Sequence, residues 1–327
     1  MFCQDGLMRI GEFEIREPVP ELRNVRAIAM LRPWVDVGRV GTLVLNRLER
    51  HLGAQELGRL AKPGKFFDYT RYRPRMRTVQ GRRVFSTPNT IVHYAHGDDH
   101  DYLFLHIREP HAFGEDYCDA IVNLLQHFGV SEYCRIGGMY DSVPHTRPVL
   151  ITGSLTREQE RRATGLISSR GSTYQGPTSI VNLVHESLIQ QEMPSVSLMA
   201  HLPQYVQLDE DHMGAARLMN VLCSMYDLPE SLADESRGEQ QYSEINRAVR
   251  NNSEVRALIQ QLETYYDRTY SAPPESEEEE EAISLAPGVE QFLYEVGGRL
   301  EEPSEEEGDD STTTRTSTRG TTTTRLC

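Results

Sequence analysis

Apolar residues along the chain gather into short runs that alternate with stripes at helical spacing. Val25 to Leu31 is apolar apart from Arg26 and predicts a buried strand. It leads into Arg32-Pro-Trp-Val-Asp-Val-Gly38, after which Val40, Leu43, Val44, Leu48 and Leu52 recur at helical spacing. That stripe predicts a helix, and Asp36 stands where it can accept the free amide hydrogens of the first turn. Before this unit, Phe13 and Ile15 alternate with charged neighbours in a leader strand. Further strands are predicted at Phe66 to Thr70, Ile91 to Ala95, Tyr102 to Ile107, Tyr133 to Gly137, Val149 to Gly153 and Ser195 to Ala200. The Gly97-Asp-Asp-His100 turn joins two of them as an antiparallel hairpin.

Between the strands lie helical stripes at Glu115 to Phe128 and Ser179 to Gln191. Strands alternating with helices of this length predict the α/β class, a three-layer α/β/α arrangement around a mixed central sheet. After Pro203 the pattern turns helical, with one helix over Met213 to Met225 and one or two over Gln240 to Tyr270. The expected organisation is a core domain over residues 1–205, a helical portion over 206–270 packed on it, and a tail over 271–327. The tail's glutamate run and threonine-arginine repeats predict disorder. One island interrupts it, where Val289, Phe292, Leu293, Val296 and Leu300 fall at helical spacing. It reads either as a loosely docked helix or as a segment that folds into a partner's groove.

Charge is unevenly placed. Residues 275–310 hold 15 acidic residues against the single basic Arg299; with the three arginines that follow, the tail takes most of the net charge of −15 and leaves −4 for residues 1–274. No basic face for nucleic acid is predicted. Lysine occurs only at Lys62 and Lys65, in a context that makes no phosphate loop, and no Gly-x-Gly-x-x-Gly is present. Five scattered cysteines without a Cys-x-x-Cys pair read as reduced thiols of a cytoplasmic protein. No apolar run approaches the ~20 residues of a membrane span, so no membrane contact is expected.

Three loops carry residue types suited to chemistry. Asp141, His145, Thr146 and Arg147 lie behind an apolar strand, where they can form an acid–base pair with an anion clamp. Equally, Pro144 and Pro148 can fix the backbone while His145 and Arg147 satisfy buried carbonyls. Gly176, Pro177 and Thr178 open a helix whose N-terminus can receive an anion. Trp34, Asp36 and Gly38 complete a set that can converge on one pocket or one interface. There is no Gly-x-Ser-x-Gly elbow for a serine hydrolase. His93 and His96 stand three apart in a predicted strand and point to opposite faces, while Asp98, Asp99, His100 and Asp101 read as a polar hairpin turn, so neither a metal nor a cofactor is predicted.

The succession Asn24-Val-Arg-Ala-Ile-Ala, Trp34-Val-Asp-Val-Gly38, Phe67-Asp-Tyr-Thr70, Val143-Pro-His-Thr-Arg-Pro148, Tyr174-Gln-Gly-Pro-Thr178 and Pro194-Ser-Val-Ser-Leu198 resembles the proteasome assembly chaperone family, second type. The likeness spans roughly residues 20 to 265. It implies a three-layer domain similar to nucleoside phosphorylases, a helical C-terminal portion, a homo-oligomer and binding of proteasome core subunits or a related complex. It also implies an assembly chaperone or scaffold in place of an enzyme. Departures are Pro33-Trp34 where many relatives read Gly-Trp, and Pro203-Gln204-Tyr205 where they read Pro-His-Tyr. The ending Arg325-Leu326-Cys327 also lacks the tyrosine of tails that dock onto the proteasome. The alternative is an enzyme or binder of a nucleoside, phosphate or carboxylate ligand that uses the loops at 34–38, 141–147 and 175–178.

Overall fold

The computed structural model describes residues 6–168 and 176–270. The tail island, with Val289, Phe292, Leu293, Val296 and Leu300, lies outside the described residues.

A nine-stranded sheet runs in the order β1 (Leu7–Ile10), β2 (Phe13–Arg16), β4 (Gln55–Leu60), β7 (Ile91–Ala95), β8 (Tyr102–Arg108), β3 (Arg26–Arg32), β9 (Glu132–Asp141), β11 (Ser195–Pro203) and β10 (Leu150–Ser154). The central block β8-β3-β9-β11 is parallel, and every other pairing in the sheet is antiparallel. Parallel strands need apolar cover on both faces. β3 shows it: Ala27, Ile28, Ala29, Met30 and Leu31 are all buried. Successive side chains point to opposite faces. Ile28 and Met30 therefore meet α1 (Val40–Leu52), α5 (His212–Tyr226), α6 (Ser236–Val249) and α7 (Ser253–Tyr270) in one core. Ala27, Ala29 and Leu31 meet α2 (Gly114–His127) and α4 (Ile180–Gln190) in the other. The result is the three-layer α/β/α arrangement, with α3 (Arg157–Arg162) beside α5.

One local expectation is corrected. Residues 66–70 do not form a strand; a 3-10 turn at Pro63–Lys65 delivers Phe66 and Phe67 into the core from a loop, with the Phe67 amide donating to the Pro63 carbonyl at 2.9 Å. The unanticipated strand β4 is polar on one side and changes register between Glu56 and Gly58, which breaks its alternation. A separate two-stranded ribbon, β5 (Arg75–Val79) with β6 (Arg82–Ser86), is exposed along its whole length.

Candidate functional site

The loops that follow β3, β8, β9 and β11 leave the carboxyl ends of the parallel strands, where open α/β sheets place their binding surfaces. The loop after β3 is held from three sides. Asp36 is buried; its Oδ1 accepts the Thr42 amide at 2.9 Å and its Oδ2 accepts the Thr42 hydroxyl at 2.5 Å, which secures the first turn of α1. Burial pushes this carboxyl up, while the Thr42 hydrogen bonds and Arg32 oppose the rise. Val35 to Val37 crosses β9 so closely that a Cβ on Gly137 would sit 2.5 Å from the Val35 carbonyl oxygen. Gly38 has φ +56°, and a Cβ there would meet the Asp211 Cβ at 2.7 Å. The Asp211 amide donates to the Gly38 carbonyl at 2.8 Å, so the close approach that glycine allows is made by α5's own N-cap.

The loop after β9 is committed to the C-terminal helices. Asp141 Oδ2 lies 2.6 Å from His201 Nδ1, and Asp141 Oδ1 accepts the Ser142 amide. Burial raises this carboxyl, but His201 and the Ser142 amide outweigh it and hold it below the usual range. His145 is buried between Tyr205 and Tyr242, with Nδ1 2.6 Å from Tyr205 Oη and Nε2 3.1 Å from Asn246 Oδ1 on α6. Burial pushes its pKa down to about 4. Thr146 donates to Glu263 Oε1, and Arg147 reaches α7 through Asp267 and Glu263. Two parallel bonds to Asp267, at 2.8 and 2.7 Å, make a planar fork.

Gly176, Pro177 and Thr178 are exposed ahead of α4, with Thr178 Oγ1 accepting from the Asn182 side chain. The Glu109 carboxylate already occupies the N-terminus of α4, accepting the Ile180 amide at 3.0 Å. An anion is therefore present at that helix end, and the chain itself supplies it.

The open space at this edge lies elsewhere. A cleft of about 540 Å³ is lined by Trp34, Lys65, Phe67, Tyr72, Glu109 and His111 among others. Of the sequence-predicted residues it contains Trp34 and none of Asp36, Gly38, Asp141, His145, Thr146, Arg147, Gly176, Pro177 or Thr178. Its aromatic wall is continuous: Tyr72 meets His111 at 4.6 Å and Phe67 at 5.7 Å between ring centroids. Beside it, β3 and β8 end on the paired residues Arg32 and Arg108, each with a buried Nε lacking a hydrogen-bond partner. Burial lowers both guanidinium pKa values, and Arg108 lowers that of Arg32 further. Arg108 sits 5.4 Å from the Tyr72 ring.

Large apolar side chains stand out around this cleft. Trp34 is 70% exposed and Phe113, just past the lining residue Ala112, is 58% exposed. Three residues beyond Tyr72 the β5–β6 ribbon begins, pairing exposed Met76 with Phe85 and carrying Arg75, Arg77, Arg82 and Arg83. The Gln80-Gly81 turn was the available signal for this ribbon; both residues have positive φ.

A mixed sheet with a parallel centre, covered on both sides by helices and extended by a C-terminal helical layer, defines a three-layer α/β/α protein with a loop-built carboxyl edge. The PAC2 family model matches residues 30–249, and the chain belongs to the PAC2 family. Solved structures share the fold. A Corynebacterium glutamicum protein of unknown function is 22% identical with a TM-score of 0.69, over 78% of this chain and 96% of that one. A Streptomyces avermitilis PAC2 family protein and a Mycobacterium tuberculosis proteasome-assembly chaperone homologue are each 22% identical with a TM-score of 0.63, over 72% of this chain and 99% of theirs. No curated protein matches the sequence.

Proposed function

We propose that this protein is a non-enzymatic assembly chaperone or scaffold that works through protein–protein contacts, as a homo-oligomer, on proteasome core subunits or a related complex. Membership of the PAC2 family supports a chaperone-like role, and one relative of the same fold is described as a proteasome-assembly chaperone homologue. The observation that carries the reading is the contrast at the carboxyl edge. Asp141, His145 and Arg147 are engaged within the chain, whereas Trp34, Phe113, Met76 and Phe85 are presented outward. Exposed aromatic anchors beside arginines are the residue types that dominate protein interfaces. Four arginines on the ribbon call for an acidic partner face with apolar recesses. Among the described residues no helix is long and apolar enough to cross a membrane.

The test is assembly itself. Purified full-length protein is mixed with separate proteasome α and β subunits, and co-sedimentation and the rate of core-particle formation are followed. Binding with a changed rate supports the reading; absence of both effects overturns the partner assignment. The cleft's volume, within the range of small-molecule sites, keeps a ligand-binding reading in view. Saturable thermal stabilisation by a nucleoside or phosphate, lost in Tyr72→Ala, would favour it.

A further inference from the structure

Glu49 lies in the last turn of α1, His93 on β7 and His106 on β8. The register places His93 opposite Phe104 and Ile91 opposite His106, so both imidazoles project from the same face of the hairpin toward α1. Their rings are 5.4 Å apart and nearly perpendicular. Glu49 Oε1 lies 2.9 Å from His93 Nδ1 and 2.6 Å from His106 Nε2. The three atoms fall within 4.8 Å of one another, in the one such group among the described residues. None of the three residues lines the carboxyl-edge cleft.

Two imidazoles and one carboxylate are the donor set that binds zinc and related first-row divalent ions with a coordination position left open. Ligands that share such an ion at ~2.0–2.2 Å stand a little over 3 Å apart, so small side-chain movements would admit it here. Exposure favours access from one side: the His106 side chain is 7% exposed and Glu49 15%, whereas His93 is 25% exposed. Position favours a cation as well. A carboxylate at a helix C-terminus faces the negative end of the helix dipole, and a bound divalent ion relieves that repulsion. Without metal, His93 Nδ1 and His106 Nε2 donate to Glu49 Oε1; a divalent ion entering between them would displace those protons and leave each ring protonated on its other nitrogen.

We propose that Glu49, His93 and His106 form a binding site for a single divalent first-row metal ion, zinc foremost, with the fourth position open beside His93. Full-length protein stripped with chelator is titrated with ZnCl2 by calorimetry and with CoCl2 by visible absorption. The expected result is one saturable site, a rise in melting temperature with metal, and a cobalt spectrum without thiolate charge-transfer bands. Glu49→Gln, which keeps an oxygen acceptor for both rings, and His93→Ala should each weaken binding on the order of 100-fold, whereas His96→Ala should not. The acidic tail and the other histidines provide an internal control, since any ion they hold persists in both variants. Absence of a saturable site, or binding unchanged in Glu49→Gln and His93→Ala proteins that fold like the parent, overturns the proposal.

Discussion

The Tyr205 hydroxyl serves His145 twice: it accepts the His145 amide hydrogen at 2.7 Å and lies 2.6 Å from the Nδ1 of the same residue. Because Nε2 faces the Asn246 carbonyl oxygen, the network is satisfied when Nε2 carries the proton and Tyr205 donates to Nδ1. Both partners are buried, so removing the hydroxyl strands an amide hydrogen and a ring nitrogen without water to replace it. Tyr205→Phe should cost about 2–4 kcal/mol. Urea unfolding checks this: the midpoint should fall while the slope stays constant.

The same burial gives a pH signature. His145 has a folded pKa of about 4, below its ordinary 6.5, so the unfolded chain takes up a proton that the folded chain refuses. Its stabilising contribution is present above pH 6.5 and is lost as pH falls toward 4, amounting to about 3 kcal/mol at most. His185 and His212 are lowered in the same direction, also by burial, so the total slope is a sum. Comparing parent and His145→Gln by urea unfolding at pH 7, 5.5 and 4.5 isolates the His145 share. The two midpoints should converge as pH falls. Glu49, held at about 2, acts in a different window: its contribution is present above its ordinary 4.5 and declines toward pH 2.

Much of this architecture was legible from periodicity, and its failures have distinct causes. β3 and β8 are buried on both faces, which writes them as apolar runs. Phe66 and Phe67 are equally buried but enter the core from a turn, and an apolar pair does not reveal which backbone presents it. The β5–β6 ribbon has no buried side at all, so it offers no inside-outside pattern. For the candidate site, the residue types in the 141–147 loop could be read, but not where they point. Tyr205 lies 60 residues from His145, and the helix partners of His145 and Arg147 lie 101 to 120 residues away on helices that fold back over the loop. Asp36 is the contrary case, because its partner Thr42 in the first turn of α1 is only six residues on. Glu49, His93 and His106 come from three elements, and no spacing rule joins them.

Gly38 is a second point where backbone and packing coincide. Its φ of +56° disfavours any Cβ, and the Asp211 side chain occupies the place a Cβ would take. Relief by shifting Asp211 would strain its cap on the Gly214 amide at 2.7 Å and its bond to the Tyr242 hydroxyl at 3.0 Å. Gly38→Ala should therefore destabilise by about 2–4 kcal/mol, beyond the ~1 kcal/mol expected from conformation alone. A matched Gly53→Ala variant is the comparison. Gly53 also has positive φ but nothing within 4 Å of its Cβ position, so its loss should be the smaller of the two.

Arg147 ties the loop after β9 to the far end of α7, next to the small cluster of Val143, Leu150 and Tyr266. Its ion pairs are solvent-accessible, so their share in global stability is modest and falls with salt. The local effect should be clearer. Arg147→Met is expected to speed amide exchange in Ser253–Tyr270 while strands β3 and β9 keep their protection. The Asp267→Asn variant should reproduce most of that change, and combining the two should add little, as residues in one network are not additive.

The surface reading rests on side chains whose loss the fold should tolerate. Trp34 and Phe113 are mostly in solvent; Phe113 has a positive φ of 54° at the start of α2, which serine must also adopt, and exposed substitutions that leave the backbone as it is alter stability by no more than about 0.5 kcal/mol. Truncating an aromatic anchor at the centre of an interface typically costs about 2 kcal/mol or more, roughly a 30-fold loss of affinity. Trp34→Ala, Phe113→Ser and Phe85→Ser should thus melt like the parent yet capture a proteasome subunit or the protein's own copies less well, which sedimentation can measure. Charge reversal of Arg77 and Arg82 to glutamate should slow association most at low salt, because exposed charges steer encounter and are screened beyond about 10 Å at 0.1 M. Parent-like binding in all of these variants would mean that the carboxyl-edge anchors and the ribbon are not the docking surface.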